Sequence, residues 1–418
     1  MFGEYIRLIR DYPRFLTFSS LHMFFSGPGQ SFSFALFAPS FAAVFALGAG
    51  GFGTLYSVAT LVSAALMPLF GPIIDRVNLR ICSLFVGLLM AASLLTTSLA
   101  PSLPVLFVGV LFLRLTGQGL MTQIGGVSTT RFFGSQRGKA LAIVGLGFSF
   151  ALALFPMTLA HLISRIGWQQ TLMLMAASVV VLFLPGSLAL IKKTDRFQHP
   201  PARSGGASTG ETVVWTRKDV LTAPFFYFAV PVTLLIPFFS TGLIIHLGKI
   251  AEHKGWSLEW AASCFIASAI MGRVASFCVG PLVDRFTARR LFPFVLVPYA
   301  VALTVLMLNT HPYAALAWLG LAGLSFGSVS VTMPALWAEV FGVDSLGAIS
   351  SIVGSAGVFA TSLSPALFGW LLDGGLDVDL LILGGVALAV FVSLLGLVAP
   401  TPASHPRARV PAAKRRGD

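Results

Sequence analysis

The sequence predicts an all-α membrane protein whose twelve transmembrane helices form two pseudo-symmetric six-helix bundles. Three observations predict it. The 418 residues are 56% hydrophobic and only 10% charged, with a mean hydropathy of +0.88, which leaves too little polar surface to coat a water-soluble globule. Apolar stretches of roughly 20 or more residues recur from end to end, each long enough as a helix to cross a hydrocarbon core about 30 Å thick. The two halves of the chain also repeat one another in a single register.

The apolar spans fall at 15–46, 53–74, 80–99, 104–130, 139–164 and 169–191, then at 220–249, 258–283, 291–309, 313–338, 346–371 and 378–399. They are too long and too weakly alternating to be barrel strands, which leaves helices as the spanning element. The net charge of +12 is not gathered on one soluble face, so no nucleic-acid partner is expected. It follows topology instead. Arg7, Arg10 and Arg14 precede the first span, and further basic residues follow the even spans: Arg76 and Arg80, Arg131, Arg137 and Lys139, Lys192 to Lys218, and Arg285, Arg289 and Arg290. Arg407 to Arg416 make the tail basic, whereas the opposite side has only Arg165, Lys249 and Lys254. The positive-inside rule therefore predicts a multi-pass protein of the cytoplasmic membrane with both termini cytoplasmic.

Cys82, Cys264 and Cys278 all lie in predicted spans without a CxxC pair; they read as small packing residues, and no metal or cofactor is expected. The opening "MFGEYIRLIRDYPRF" is amphipathic and runs into the first span, unlike a cleavable signal. Residues 1–191 form the predicted N-terminal half and 192–218, "KKTDRFQHPPARSGGASTGETVVWTRK", a polar cytoplasmic linker. Residues 219–400 form the second half and 401–418 the tail, which is expected near anionic headgroups. At a constant offset of 209 residues Pro28 matches Pro237, "GPIIDR" at 71–76 matches "GPLVDR" at 280–285, and Phe132 matches Phe341. Gly138, Gly145 and Pro156 match Gly347, Gly354 and Pro365 in the same register, so the halves are expected to be structurally equivalent.

Twelve spans in 6+6 form, a central basic loop, and "GPIIDRVNLR" echoed by "GPLVDRFTARR" resemble the major facilitator superfamily of secondary transporters. Within it, "RLTGQGL", "FSTGLIIHLGKIAEHKGWS" and "LWAEVFGVDSLGAISSIVGSAGVFATSLSPALFGWLLD" are similar to the branch of monocarboxylate and oxalate–formate transporters. The resemblance implies a cavity between the halves, lined mainly by spans 1, 4, 7 and 10, that opens alternately to each side. It also implies that the paired motifs act as gating struts. Asp75 and Asp284 are expected to cap the following helix or pair with Arg76, Arg80, Arg285 or Arg289, with Glu339 latching the same rim.

Two arginines carry the functional argument. Asp284 belongs at the cytoplasmic end of span 8, and eleven residues of helix put Arg273 about 16 Å deeper, near the bilayer midplane. Arg114 in span 4 is comparably deep. A guanidinium keeps its proton, and at the bilayer centre it costs at least ~2.5–3.5 kcal/mol. All fifteen acids fall at span ends, loops or tails, so a ligand that brings its own negative charge is one answer. Satisfaction by backbone carbonyls and hydroxyls is the other. In the family resembled, the span-8 arginine sits about one turn nearer the Gly-x-x-x-Asp motif, often with an acidic companion that this chain lacks.

His22, Ser26, Gln30 and Ser33 recur at helical spacing in span 1 and are expected to face the cavity. Gly27 to Gly29 break that span where the repeat places Pro237 in span 7, and paired breaks point to a substrate site. The substrate-binding set expected is Arg273 first and Arg114 second, with Gln30 as a neutral donor and Gln118 orienting Arg114. Ser26 and Ser276 complete its polar part, and Phe34 and Tyr56 its apolar walls. His246, then His22, are the candidates for proton coupling.

These readings predict a secondary transporter of a small organic anion, most simply a carboxylate, working by proton symport or anion exchange. It would act as a monomer in the lipid bilayer, with protons or a counter-anion as further partners. No Gly-x-x-x-x-Gly-Lys motif provides for ATP, and no nucleophile–base pair suggests an enzyme. The rival expectations are drug or metabolite efflux, which for cations needs a mid-depth acid, and a membrane sensor or scaffold on the same fold.

Overall fold

The structure is a computed structural model that describes residues 2–133, 136–191, 215, 217–342 and 345–400. The side chains at 2, 71–76, 217, 347 and 348 are outside that description. The linker expected at 192–218 therefore lies outside the described residues except at 215, 217 and 218, and the tail at 401–418 lies outside them entirely. No strand occurs among the described residues.

Ten helical stretches among the described residues are long and apolar enough to cross a membrane; one of them holds two crossings, and a broken segment before them makes the twelfth. The first, α1, spans 13–45 and is broken. Helix Pro13–Phe25 gives way to a 3-10 turn at Gly27–Gly29, a single turn at Ser31–Phe34 and a last helix at Ala38–Phe45. α2 is Ala49–Arg76, α3 Leu79–Ser98 and α4 Leu103–Phe133. One stretch, Arg137–Leu190, holds both α5 (137–166) and α6 (168–190), bent at Gly167 with φ +81°. A left-handed φ is one that glycine adopts freely, so Gly167 supplies the corner between the two crossings. The second set is α7 Pro224–Ile245, α8 Leu258–Phe286, α9 Ala288–Leu308, α10 Tyr313–Phe341, α11 Leu346–Asp373 and α12 Val378–Leu397. An N-terminal helix, Phe2–Asp11, lies against α5 through Glu4, whose carboxylate is 3.0 Å from Lys139 Nζ.

Proline interrupts these helices less than the sequence suggests. α7 runs unbroken through Pro231 and Pro237, so the break in α1 has no counterpart in α7. A membrane helix tolerates the lost N–H where neighbouring elements satisfy what is freed. Pro365 in α11 illustrates the compensation: Ala366 N–H donates to Ser57 Oγ of α2 at 3.1 Å, while the Pro365 carbonyl accepts from His246 Nε2 at 2.9 Å.

The two sets of six crossings meet along two seams, α2 against α11 and α5 against α8. At the end remote from the termini α2 and α11 touch backbone to backbone. A Cβ on Gly53 would strike the Pro365 carbonyl, and one on Gly369 would strike Ala49. The Asp373 carboxylate of α11 caps the first turn of α2, accepting from Ala49 N–H at 3.0 Å and Gly50 N–H at 2.8 Å. Trp370 Nε1 donates to Thr54 Oγ1 at 2.9 Å nearby. Toward the termini the same helices diverge and Gly354 faces open space. The bundle is thus closed at its far end and parted on the side of the termini.

Candidate functional site

The site begins with a broken helix. Pro28 has no N–H, and in the turn around it Ser33 N–H bonds the Gln30 carbonyl at 3.2 Å, one residue past the helical partner. The Gly29 carbonyl is thereby freed from the ladder, and Arg114 Nη1 donates to it at 2.6 Å. Span 4 comes this close because glycine faces glycine. A Cβ on Gly29 would run into the Leu113 carbonyl and lie 2.7 Å from Gly117 Cα.

Arg114 is 1% exposed. Besides Gly29 it donates from Nε to Thr60 Oγ1 at 3.1 Å and from Nη2 to Gln118 Oε1. Gln118 belongs to a π-helical stretch of α4, Leu115–Met121, and such bulges re-aim side chains. The guanidinium carbon stands 4.6 Å from the Tyr56 ring centroid, within cation–π range. Tyr56 O–H in turn donates to Ser31 Oγ at 3.0 Å. Among the described residues three of the five guanidinium hydrogens are used, every acceptor is neutral, and no carboxylate pairs with Arg114.

Arg114 and Gln118 form part of the wall of an open cavity of about 780 Å³ between α2, α4 and the terminus-side half of α11. Thr60, Ser63, Thr122 and Gln123 line it from the first six crossings, and Ser350, Ser351 and Ser355 from α11. Reading the sequence singled out none of these seven. The available signal was the run "AISSIVGSAG", which sets hydroxyls inside an apolar span.

Arg273 sits at the other seam, half-buried, and donates from Nε to Ser149 Oγ of α5 at 2.6 Å. Its Nη1 lies where a Cβ on Gly145 would come within 3.3 Å. Among the described residues no carboxylate pairs with it either. The 209-residue repeat relates the two seams: Arg273 corresponds to Ala64 and Gly145 to Gly354, and Ala64 and Gly354 both line the cavity. Where one seam is filled by a guanidinium against a glycine, its counterpart has a methyl group and stays open.

The remaining candidates are distributed more widely. Ser26 and Gln30 are buried beside the α1 break, with Ser26 O–H on the Met23 carbonyl at 2.7 Å and Gln30 Nε2 at 3.4 Å from Ser26 Oγ. His22 points away from the cavity. Its Nδ1–H donates to the Phe18 carbonyl at 2.9 Å, Nε2 is 3.0 Å from Ser83 Oγ of α3, and its ring packs between Phe18 and Phe183. The break in α1 is why the expected stripe does not continue along one face. Phe34 is buried, stacked on Phe52 at 5.6 Å and tilted against Tyr56 at 5.5 Å. Ser276 O–H returns to the Gly272 carbonyl of its own helix at 2.9 Å. His246 lines a smaller cavity of about 320 Å³ at the far end, together with Lys249, Glu252 and Asp373.

At the terminus-side rim Asp284 and Arg285 are exposed, the Arg285 guanidinium lying over Phe286 at 5.2 Å. Glu339 of α10 caps the start of α9, accepting from Ala288 N–H at 2.8 Å and Arg289 N–H at 3.2 Å. Arg80 is exposed, and its N–H donates to the Asn78 side chain at 2.8 Å. Asp75 and Arg76, as side chains, lie outside the described residues.

A polar cavity between two six-helix sets, closed at one end, is the geometry of an alternating-access carrier. The sequence matches the family described as Major Facilitator Superfamily over residues 20–280 and 269–416, nearly the whole chain. The chain belongs to the Major Facilitator Superfamily. This superfamily member is accordingly a multi-pass membrane transporter and not an enzyme. Two crystal structures of a bacterial homologue of the human lysosomal transporter Spinster, both inward-facing, are similar to it. The unoccupied form gives a TM-score of 0.64 at 15% identity over 92% of this chain and 94% of that one. The occupied form gives 0.68 at 15% identity over 94% and 97%. The nucleoside transporter NupG gives 0.69 at 11% identity over 93% of this chain and 100% of that one. At such identities the likeness is one of fold. No curated protein sequence matches this superfamily member significantly.

Proposed function

We propose that the protein is a secondary transporter carrying a small organic anion, a carboxylate, across the cytoplasmic membrane by alternating access. The observation that carries this reading is Arg114, a buried guanidinium on the wall of the open cavity with only neutral partners among the described residues. Hydrogen bonds to a carbonyl, a hydroxyl and a carboxamide orient the charge without neutralising it, and a planar fork with two hydrogens to spare suits a carboxylate. Arg114 therefore takes the leading role and Arg273, at the α5–α8 seam, the second. The similarity of "RLTGQGL" and the α11 segment to carboxylate transporters supports the same cargo class.

On this reading the termini are cytoplasmic, so the parted end faces inward. Closure at the far end rests on Asp373 and the α2–α11 contacts, and Asp75, Arg76, Asp284 and Arg285 occupy the rim that must close when the far end opens. His246 is the proton-coupling candidate, because it lines the far-end cavity beside Asp373, whereas His22 is enclosed by aromatic rings.

Counterflow in proteoliposomes loaded with formate, lactate, oxalate, succinate or a neutral sugar tests the reading. Saturable exchange of a carboxylate, lost in Arg114→Gln and retained in Cys278→Ala, supports it. Exchange of the neutral sugar alone refutes it.

A further inference from the structure

The cavity beside Arg114 has more polar chemistry than a bare carboxylate uses, and how its hydroxyls are spent sets its character. A serine or threonine has one hydrogen to donate and two lone pairs with which to accept. Ser63 donates to the Thr60 carbonyl at 2.8 Å, Thr122 to the Gly119 carbonyl at 2.9 Å, and Ser355 to the Ser351 carbonyl at 2.9 Å. Each hydrogen is turned back onto its own helix, so what these side chains offer a ligand is acceptor oxygen. Gln123 also lines the cavity, but its Oε1 is fully buried and out of a ligand's reach. The charged donor is the Arg114 guanidinium, joined by the amide hydrogens of Gln118, whose oxygen is already held by Arg114; Thr60, Ser350 and Gln123 line the cavity with hydrogens of their own to donate.

A simple carboxylate only accepts. It satisfies Arg114 and Gln118 and leaves the oxygens of Ser63, Thr122 and Ser355 facing an acceptor like themselves. An ammonium donates, but among the described residues no acid lines the cavity to balance its charge. The complementary cargo has one carboxylate and several neutral O–H donors. Resting on the organic-anion reading above, we propose that the cargo is a polyhydroxylated carboxylate of the sugar-acid type. Its carboxylate meets Arg114 and Gln118, and its hydroxyls donate to Ser63, Thr122 and Ser355. At about 780 Å³ the cavity suits a chain of several carbons, whereas a one- or two-carbon acid leaves most of it to water.

Counterflow with four labelled six-carbon probes tests the proposal: gluconate, hexanoate, 6-aminohexanoate and sorbitol. Gluconate is expected to exchange with a KM at least about tenfold below that of hexanoate, because a site built around hydrogen bonds discriminates strongly against an analogue lacking them. Sorbitol and 6-aminohexanoate are expected near background. Thr122→Val removes one acceptor at nearly constant volume and is expected to raise the gluconate KM about fivefold while leaving the hexanoate KM unchanged. Ser355→Ala, at an exposed position on α11, carries the same readout if Thr122→Val does not fold. Hexanoate exchanging as well as gluconate, or 6-aminohexanoate preferred over it, overturns the sugar-acid proposal and leaves the organic-anion reading standing. Sorbitol exchange without any carboxylate overturns both, and no exchange of any of the four overturns the proposal.

Discussion

Arg114 and the glycines of α1 and α4 are bound to one another. The guanidinium needs acceptors at mid-depth, and the break at Gly27–Gly29 yields a free carbonyl that reaches it only because Gly29 and Gly117 let the backbones touch. Arg114→Lys keeps the charge but not the three-way fork, so transport is expected to fall about tenfold or more, as for loss of a bond to a charged group. Radiolabel uptake at fixed protein level measures it. Gly29→Ala places a methyl against the Leu113 carbonyl and is expected to destabilise the fold by about 1–3 kcal/mol, seen as a lowered thermal midpoint in detergent. Both arginines and their lack of acidic partners were legible in the sequence, because charge inside an apolar run stands out. The partners of Arg114 were only half legible: Gln118 is one turn away, whereas Thr60 and Gly29 arrive through tertiary packing. The acceptor lining of the cavity was not legible, since hydropathy treats a serine in α11 alike whether it faces lipid, helix or water.

Among the elements, α2 and α11 govern closure. The Asp373 carboxylate on the first turn of α2 is a helix cap supplied by the other six crossings, and such caps contribute about 0.5–2 kcal/mol. Asp373→Ala is therefore expected to shift the population about fivefold toward far-end opening. Spin labels on Leu47→Cys and Leu376→Cys, in a chain freed of native cysteines, would report it as a longer distance. The N-terminal helix is held differently. The hydrogen bond and charge of Lys139 keep the Glu4 carboxyl below its ordinary pKa, so this contact is intact above the carboxylate range and lost as pH falls through the lowered value. Faster hydrogen exchange over Phe2–Asp11 at acid pH checks the sign. Span positions were readable from hydropathy alone because each crossing must be apolar for its full length. The expected break in α7 was not found, because proline removes one bond and the surrounding helices decide whether the rod bends.

For the whole molecule, the repeat gives two equivalent seams and the side chains make them unequal. Arg273 fills the α5–α8 seam beside Gly145, while Ala64 and Gly354 leave the α2–α11 seam open on the side of the termini. With the far end closed, Ser355→Cys is expected to react with a membrane-impermeant thiol reagent only from the side of the termini. Phe52→Cys, 2% exposed behind the closure, is expected to stay unreactive. The most direct test of the central claim is equilibrium binding of a labelled carboxylate to purified protein, wild type against Arg114→Gln. Saturable binding weakened more than about tenfold in the variant, with the thermal midpoint little changed, is the result predicted for a charge that meets its counterion in the cargo. Equal binding by both proteins would contradict it.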